Sequence, residues 1–508
     1  MLLYKILDKT VEKTPDKMAL ICRGSSCTYE QLFDKMNQWA KTLLSLGVRK
    51  GDRVALLMKN RVELVQMYFA CFRIGAIAVP LNTRYKTSEA VFAVKHSGCK
   101  IIIASSELYS VVADMNNAIS SLEGIYIIDE NSEYQSISWN KATSDSDDHV
   151  SFPEVNMSDP AMIMYTSGST ARPKGAILSN FSLYNLILIK TKSQELNHNE
   201  IGLAATQISH IAGFAGLMLP TLFNGGTFVM VKEFEAGEYI RHLKEFKPTL
   251  IVLLPTELLE ILEHPDAKDA DFSHVRYMLV AGDKVPHHTY ELFRNLAGFD
   301  LLEGCGMTEC EGYCLQPKHE KKKPGSIGKP IPGVKMRLVD KNGNDVPDGK
   351  TGEILLKSKS LITGYWDNPE ENKKAFVDGW FRTGDLAYKD QDGYYHFVSR
   401  IKEVIIRGGS NIAPGEVEDV LDDHPGVQSS GVVGFPDEHY GSIVGAFIVP
   451  EPGMPVPTID QLSAFASKRL SQYKVPEKWI MVKELPRNAV GKIDRRKLHH
   501  RAKELIAT

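Results

Sequence analysis

Cysteine is scarce in this sequence and is not arranged in pairs. Seven cysteines are scattered over 508 residues, at positions 22, 27, 71, 99, 305, 310 and 314. An odd, scattered set does not predict a disulfide framework, so we expect reduced thiols in a cytoplasmic protein. Three of them, Cys305, Cys310 and Cys314, precede His319, but their spacing differs from that of the usual zinc sites. A metal site of this kind is therefore disfavoured.

Long hydrophobic runs are absent as well. The most apolar stretch, Ile201–Val231, is interrupted by Gln207, His210, Pro220 and Asn224, whereas a membrane-spanning helix needs about 20 apolar residues in succession. We expect buried strands, loops and helices there instead. Charged residues at positions 5, 8 and 9 interrupt any apolar core of a signal peptide.

The sequence has little excess charge of either sign. The formal net charge is -3, so we expect no nucleic-acid partner. The segment Lys483–Lys503 is basic, which is compatible with a weak peripheral contact with a membrane surface. The sequence also leaves a homodimer open, and it contains no internal repeat or low-complexity segment.

The pattern of apolar residues predicts an α/β protein. A chain of 508 residues exceeds the roughly 250–300 residues at which a single core stops growing, so we expect more than one domain. Short apolar runs alternate with helical patterns, two of which begin with capping signals at Thr28-x-x-Gln31 and Asn60-x-x-Glu63. Such alternation is typical of a largely parallel sheet.

The pattern changes in the last third of the chain. From Gly333 to Val398, short apolar runs and turn signals such as Asn342-Gly343 predict a small β subdomain. From about Arg400 onward, strand and helix patterns mix again. We therefore expect a separate, small α+β unit at the C-terminal end.

The segment Tyr165–Ala176 has the composition of a phosphate-binding loop. Four hydroxyl residues surround Gly168, Lys174 follows, and Ser179 is a plausible helix cap. Gly168 lets backbone N–H groups approach a ligand, and the hydroxyls and ammonium add donors, which suits a polyphosphate. It is not a Walker loop, because that spacing is absent and Pro173 breaks the direct entry into a helix. By itself, the segment could equally be a polar surface loop.

Four further segments follow in a fixed order: Gly304–Glu309, Phe381–Leu386, Ser399–Glu418 and Pro486–Arg495. Together with Tyr165–Ala176 they resemble the motifs of the adenylate-forming superfamily, which includes acyl-CoA synthetases, peptide-synthetase adenylation domains and firefly luciferase. The resemblance covers nearly the whole chain. It implies a large N-terminal adenylation domain of stacked α/β sheets plus a β subdomain, residues 1–399, and a small mobile C-terminal α+β domain, residues 400–508.

The resemblance also implies a reaction and a nucleotide site. A carboxylate attacks the α-phosphate of ATP, pyrophosphate leaves, and a thiol then displaces AMP from the acyl-adenylate. Positive charge and donors must face the place where negative charge builds up. The implied ATP-binding residues are Thr166, Ser167, Gly168, Ser169, Thr170 and Lys174 at the leaving phosphates, Gly282, Asp283, Gly304, Cys305, Gly306 and Met307 near adenine, Thr308 at the α-phosphate, Asp385 at the ribose, Arg400, and Lys492.

Other roles carried over from the family concern the metal, the catalytic steps and the thiol. Glu309 would help bind Mg²⁺. Lys492 would bridge the carboxylate and the α-phosphate, although without its motif it would be one cation of a basic exposed segment. Rotation about a hinge at Lys402 would then admit the pantetheine of CoA past Gly408 and Gly409.

This chain departs from the family pattern at three positions. Cys305 stands where an adenine-stacking Tyr is usual, which gives up about 1 kcal/mol of contact. Ala171 and Ser399 stand where Gly is common. None of these changes removes a charged catalytic group, although altered adenine contacts leave a nucleotide-binding protein without turnover as an alternative.

The acyl group is expected to meet His210 and the small residues that follow it. Ala212, Gly213, Ala215 and Gly216 leave room for an alkyl or aryl group, and no cation for a second carboxylate is evident in the segments around the pocket. For His210, a role at the acyl or thiol entrance and a place in the core are equally supported. We expect an acyl-CoA synthetase for a medium- to long-chain fatty acid. The alternatives are a 4-coumarate-like aryl-CoA ligase and an enzyme that loads an acyl carrier protein.

Overall fold

The computed structural model describes residues 1–115, 119–129, 138–144, 151–166, 173–283, 285, 287–408, 410–437, 439–488 and 491–507, and the counts of strands below are those of these residues. The chain forms two large α/β sheets, a β subdomain and a C-terminal α+β unit. This confirms the predicted fold class. In the described part of the chain, no helix has the length and apolar character needed to cross a membrane.

A sheet of nine strands carries most of the residues predicted to surround the nucleotide. Its six central strands are parallel, and antiparallel strands flank them on both sides. Across the sheet the strands are Lys329–Pro330, Cys310–Leu315, Leu302–Met307, Tyr277–Ala281, Leu250–Leu253, Ile201–Ala204, Thr227–Met230, Met18–Cys22 and Ser25–Thr28.

A sheet of seven strands carries the two ends of the predicted phosphate loop. Five of its strands are parallel, and the last two are added antiparallel at one edge. Across the sheet they are Gly124–Ile127, Ile101–Ala104, Arg53–Leu57, Ile77–Pro80, Pro160–Thr166, Lys174–Ser179 and Gly364–Tyr365.

The β subdomain and the C-terminal unit follow in sequence. The subdomain is an antiparallel sheet of Val334–Val339, Gly352–Ser358, Trp380–Lys389, Phe376–Val377 and Tyr395–Arg400. The C-terminal unit pairs Ile405–Arg407 with Ser410–Ile412, and Gly441–Pro450 with both Val427–Asp437 and Lys478–Met481. The boundary between residues 399 and 400 and the mobility of the C-terminal unit stay predictions.

Helices cover the sheets. The α-helices are Asp8–Lys13, Tyr29–Ser45, Val62–Ile74, Thr87–Ser97, Tyr109–Val112, Trp139–Ser144, Asn180–Ser193, Leu219–Phe223, Ala236–Phe246, Pro255–Glu263, His287–Ala297, Pro369–Ala375, Pro414–Asp422, Ile459–Ser467 and Arg495–Ala507. Short 3₁₀ turns lie at Leu3–Ile6, Ser106–Leu108, Ala267–Asp269, Ile401–Glu403 and Gln472–Lys474, and a π-helix spans Ala212–Met218. The stretch 201–231 is thus strand, π-helix, α-helix and strand, as predicted.

Local capping signals were informative at two of three helices. Thr28 and Ser179 both accept hydrogen bonds from the third residue of the helix that follows. The expected capping role of Asn60 is wrong, because the N-cap of Val62–Ile74 is Arg61. Asn60 is fully buried and instead donates to the carbonyls of Thr206 and Val231.

Candidate active site

The predicted phosphate loop connects two antiparallel strands. Thr166 and Lys174 are directly paired across the hairpin, at the ends of Pro160–Thr166 and Lys174–Ser179. The loop residues Ser167, Gly168, Ser169, Thr170 and Ala171 lie outside the described residues, so their phosphate-binding role stays a prediction.

Lys174 is linked through Tyr365 to the predicted metal ligand. Its ammonium forms an ion pair with Glu371 and lies 5.1 Å from the centroid of the Tyr365 ring. The hydroxyl of Tyr365 donates to Oε1 of Glu309 at 2.7 Å. Sequence reasoning did not assign Tyr365 and Glu371, because they are separated from Lys174 by almost 200 residues.

Glu309 lies at the turn of the hairpin formed by Leu302–Met307 and Cys310–Leu315. Its side chain is buried, and its backbone carbonyl accepts a hydrogen bond from Ile362. A buried carboxylate that is held by one phenol keeps lone pairs for a hard cation. The residue therefore fits the predicted Mg²⁺ ligand, and Thr308 beside it belongs to the same turn.

The glycines of this hairpin are required by the neighbouring strand. A Cβ at Gly304 would lie 3.0 Å from the carbonyl oxygen of Cys314, and one at Gly306 would overlap the backbone of Gly312. Met307 pairs with Cys310 at the end of the ladder. Close strand packing thus explains Gly304 and Gly306, whose contact with adenine stays a prediction.

Cys305 contacts a tyrosine that the sequence analysis missed. Its thiol lies 3.0 Å from the hydroxyl of Tyr313, which is buried in the partner strand. Burial raises the pKa of Cys305 to about 11, so the group stays a neutral thiol near pH 7. The thiols of Cys310 and Cys314 approach other groups, Ser360 and the sulfur of Met336.

Asp385 and Arg400 face each other from adjacent strands. Their Cα atoms are paired, and Nε of Arg400 lies 3.2 Å from Oδ1 of Asp385. Asp385 is only 4% exposed. Burial raises its pKa to about 6, against the opposing charges of Arg400 and Lys492. Among the described residues, Oδ1 accepts no well-directed hydrogen bond, so the carboxylate is free to accept the ribose hydroxyls predicted for it.

Lys492, near the C-terminal end of the sequence, lies close to Asp385 and Gly282 in the structure. Its Cε lies 3.9 Å from the position that a Cβ would take at Gly282, which has a φ of +103°. Its backbone N–H donates to Oδ1 of Asn488 at 3.1 Å, and the Asn488 N–H donates back to the Lys492 carbonyl at 2.8 Å. The charge of Lys492 also acts on Asp385 and Cys305. The structure therefore brings together the predicted residues of four motifs.

The segment next to Lys492 is held by buried charge. Arg495 forms paired hydrogen bonds to the carboxylate of Glu418 at 2.6 and 2.7 Å, and its Nε lies 3.2 Å from Glu403. Burial lowers the pKa of Arg495, but the carboxylate of Glu418, followed by those of Glu403 and the predicted adenine residue Asp283, raises it overall. Arg495 therefore ties the segment after Lys492 to Glu403 and Glu418 within the C-terminal unit.

The predicted hinge and thiol-channel residues lie further along. Lys402 is exposed in the turn Ile401–Glu403. Gly408 has a φ of +53°, and its N–H donates to the carbonyl of Tyr440 at 2.9 Å. Gly409 is outside the described residues. Among the contacts of the described residues, none joins Gly408 to Asp385 or Lys492, so its role stays a prediction.

His210 precedes the π-helix Ala212–Met218. Burial, together with the charge of Arg84, lowers its pKa to about 4. The imidazole is therefore neutral at pH 7. The sequence analysis did not predict an effect of Arg84 on His210, because the two residues are far apart in the sequence.

The expected room beside the π-helix is partly filled. A Cβ at Gly213 would lie 2.9 Å from the carbonyl oxygen of Gln207, and one at Gly216 would lie 2.7 Å from Oε1 of Glu311. The expectation that Gly213 and Gly216 leave space for an acyl group is thus wrong at these two positions. They are small because a backbone carbonyl and a carboxylate pack against them.

Two family models match this sequence. The model of the AMP-binding enzyme family matches residues 7–366, and that of the AMP-binding enzyme C-terminal domain matches residues 416–492. The chain belongs to this family of adenylate-forming enzymes. This AMP-binding enzyme is 34% identical over 483 residues to a feruloyl-CoA synthase of Amycolatopsis, covering 94% of this chain and 95% of the relative.

Two further matches are a relative named for a fatty acid and a solved structure. A long-chain-fatty-acid–CoA ligase of Bacillus subtilis is 30% identical over 525 residues, covering 98% of this chain and 94% of the relative. A structure of o-succinylbenzoate coenzyme A synthetase from B. subtilis with ATP and a magnesium ion has a TM-score of 0.85 and 29% identity, and 97% of this chain and 99% of that chain are covered.

Proposed function

We propose that this AMP-binding enzyme is an ATP-dependent acid–CoA ligase that forms an acyl-adenylate and then an acyl-CoA. The observation that carries the proposal is the position of Lys492 beside Gly282, within reach of the charge of Asp385. An ammonium there can neutralise a carboxylate and an α-phosphate as they approach each other.

The other residues supply binding and orientation. Asp385 accepts the ribose hydroxyls, and Arg400 holds that carboxylate in place from the adjacent strand. Thr308 and the loop that begins at Thr166 donate to phosphate oxygens. Glu309 would hold Mg²⁺, which offsets phosphate charge when it is bound. His210, neutral at pH 7, borders the acyl carboxylate.

The second step requires Lys492 to leave. A thiol must approach the carbonyl of the adenylate from the side that Lys492 occupies. Rotation at Lys402 would remove the lysine and bring Gly408 and Gly409 toward the pantetheine arm. The names of the relatives support CoA as the acceptor, whereas a carrier protein is the alternative.

Replacing Lys492 separates the two steps. Lys492→Ala should lower ATP–pyrophosphate exchange by about 100-fold or more, the scale of losing one transition-state donor. Transfer of the acyl group from synthetic acyl-adenylate to CoA should be nearly unchanged. Lys497→Ala is the matched control, because Lys497 is 66% exposed and pairs only weakly with Asp494 at 3.7 Å.

The outcomes against the proposal are specific. Pyrophosphate exchange that is unchanged in Lys492→Ala would show that adenylation does not need this ammonium, whereas no exchange by the unmodified protein with any acid would leave a nucleotide-binding protein without turnover. Release of AMP without consumption of CoA would exclude CoA as the acceptor, and the same assay with acyl carrier protein would then decide.

The acid is a separate question. The relatives are named for aryl and for fatty acids, so their names support both the expected medium- to long-chain fatty acid and the aryl alternative. A panel of acids assayed with CoA tests this choice.

A further inference from the structure

Tyr365 contacts two charged groups that are predicted to act on the phosphates, but the proposed steps give it no part. The ammonium of Lys174 lies 5.1 Å from the centroid of its ring, and its hydroxyl donates to Oε1 of Glu309 at 2.7 Å. The face of an aromatic ring attracts a cation, and a phenol O–H donates to an anion. One side chain thus serves both a cation and an anion of the candidate site.

The backbone of Tyr365 is fixed by two sets of hydrogen bonds. The short strand Gly364–Tyr365 pairs with the strand that begins at Lys174. The side chain of Asn372 accepts from the Tyr365 N–H at 2.6 Å and donates to the Tyr365 carbonyl at 2.9 Å. Tyr365 is only 5% exposed. Its hydroxyl is therefore presented to Glu309 from a rigid support.

The residue before Asn372 determines which carboxylate Lys174 meets. Glu371 forms an ion pair with Lys174, and the two side chains are 26% and 14% exposed. The ammonium of Lys174 is thus paired with Glu371, whereas the carboxylate of Glu309 is held by the phenol of Tyr365. Two carboxylates near one another therefore have partners of different charge.

The neutral partner matters for what Glu309 can bind. A phenol has an ordinary pKa of about 10, so it keeps its proton near pH 7. Its hydrogen bond orients one carboxylate oxygen without neutralising the charge, and lone pairs remain for a hard cation. An ammonium in the same place would cancel the charge that attracts the cation. A hydroxyl at this position gives orientation and leaves the charge available.

We propose that Tyr365 is a positioning residue for the cation site, which holds the carboxylate of Glu309 through a neutral hydrogen bond in the orientation that a divalent cation bound with ATP requires. The proposal rests on the proposed ligase function, in which Glu309 would hold Mg²⁺. Removing a group that hydrogen-bonds a metal ligand lowers metal affinity or activity by about 10- to 100-fold in other proteins.

The test measures binding rather than turnover. Calorimetry with the full-length protein, in the absence of acid, gives the dissociation constant for ATP once with Mg²⁺ and once with EDTA. The ratio of the two constants is the gain in affinity that Mg²⁺ provides. Tyr365→Phe removes the hydroxyl and keeps the ring beside Lys174. We expect it to lose about tenfold of this gain and to bind ATP in EDTA as tightly as the unmodified protein does.

Two comparisons locate the effect at Glu309. Glu309→Gln should lose the gain as well, and adding Tyr365→Phe to it should cause no further loss, because Tyr365 acts through that carboxylate. Tyr394→Phe is the matched control. Tyr394 is also buried, at 3% exposed, but its hydroxyl donates to the backbone carbonyl of Lys321 at 2.7 Å. This control should keep the full gain.

The outcomes separate the inference from the proposed function. No gain from Mg²⁺ in the unmodified protein, an undiminished gain in Tyr365→Phe, an equal loss in Tyr394→Phe, or a further loss in the double variant would overturn the inference and leave the ligase function standing. Failure of the unmodified protein to form an acyl-adenylate from any acid would refute the proposed function, and the inference with it.

A second variant serves if Tyr365→Phe does not fold. Asn372→Ala removes the two hydrogen bonds that hold the backbone of Tyr365 and leaves its hydroxyl in place. It should lose about threefold of the gain from Mg²⁺, the scale of one hydrogen bond. A gain equal to that of the unmodified protein would overturn the inference.

Discussion

The carboxylate of Asp385 is poised to make nucleotide binding depend on pH. Burial raises its pKa to about 6 despite Arg400 and Lys492. Ribose hydroxyls donate to the ionised form, so ATP affinity should weaken as the pH falls through 6. We expect the dissociation constant for ATP to rise about tenfold between pH 7 and pH 5, measured by calorimetry.

The control removes the titrating group. Asp385→Asn should bind ATP more weakly at pH 7 and show little change down to pH 5. An equal pH dependence in both proteins would assign it to another group. The raised pKa has the opposite effect on the free energy of unfolding. Because the folded state favours the protonated form of Asp385, its stabilising contribution is complete below its ordinary pKa and is lost as the pH rises through 6.

At this scale the sequence identified residues more readily than their partners. The proximity of Lys492, Asp385 and Glu309 could be predicted because each lies in a short motif, whereas their roles stay predictions. Tyr313 and Tyr365 could not, since a tyrosine has no local signal for the thiol or carboxylate that it contacts. Gly216 shows the same limit, because its small size is explained only by a carboxylate from a distant strand.

At the scale of elements, the side chain of Asn60 joins segments that are far apart in the sequence. It follows the strand Arg53–Leu57 of the seven-stranded sheet, and its side chain bonds the backbone beside strands of the nine-stranded sheet. Its Nδ2 donates to the carbonyls of Thr206 and Val231, at 3.1 and 3.0 Å, and its Oδ1 accepts from the N–H of Ile208 at 2.8 Å. The local sequence pattern predicted a helix cap and could not reveal this role, because the backbone groups that Asn60 bonds lie about 150 residues away.

Asn60→Ala should therefore destabilise the fold strongly. It leaves buried backbone groups without partners, at a cost of about 1–3 kcal/mol each before relaxation, so we expect a loss of about 3 kcal/mol. The measurement is the midpoint of urea unfolding. Asn185→Ala is the control, since Asn185 is partly exposed and its side chain donates to the Phe181 carbonyl of its own helix at 2.8 Å. A loss equal to that of the control would contradict the bridging role.

At the scale of the whole molecule, the arrangement in the structure matches the first half of the proposed reaction. Lys492 lies beside Gly282, and Arg495 holds Glu418 and Glu403 next to the predicted hinge. The motif order indicated which segments meet. The contacts of Arg495 within the C-terminal unit could not be predicted, because they join residues 77 positions apart in the sequence.

Lys402→Pro tests whether the second half of the proposed reaction, acyl transfer to CoA, requires a change of backbone torsion at this residue. Lys402 lies in a short 3₁₀ segment, in which the usual φ of roughly −50 to −70° is close to the value that proline fixes. We expect pyrophosphate exchange within about threefold of the unmodified protein, whereas acyl transfer to CoA from synthetic acyl-adenylate should fall by about 100-fold or more, because the lysine cannot leave. Lys402→Ala, which removes only an exposed side chain, should leave both rates unchanged. Equal rates of acyl transfer in the proline and alanine variants would place the hinge elsewhere.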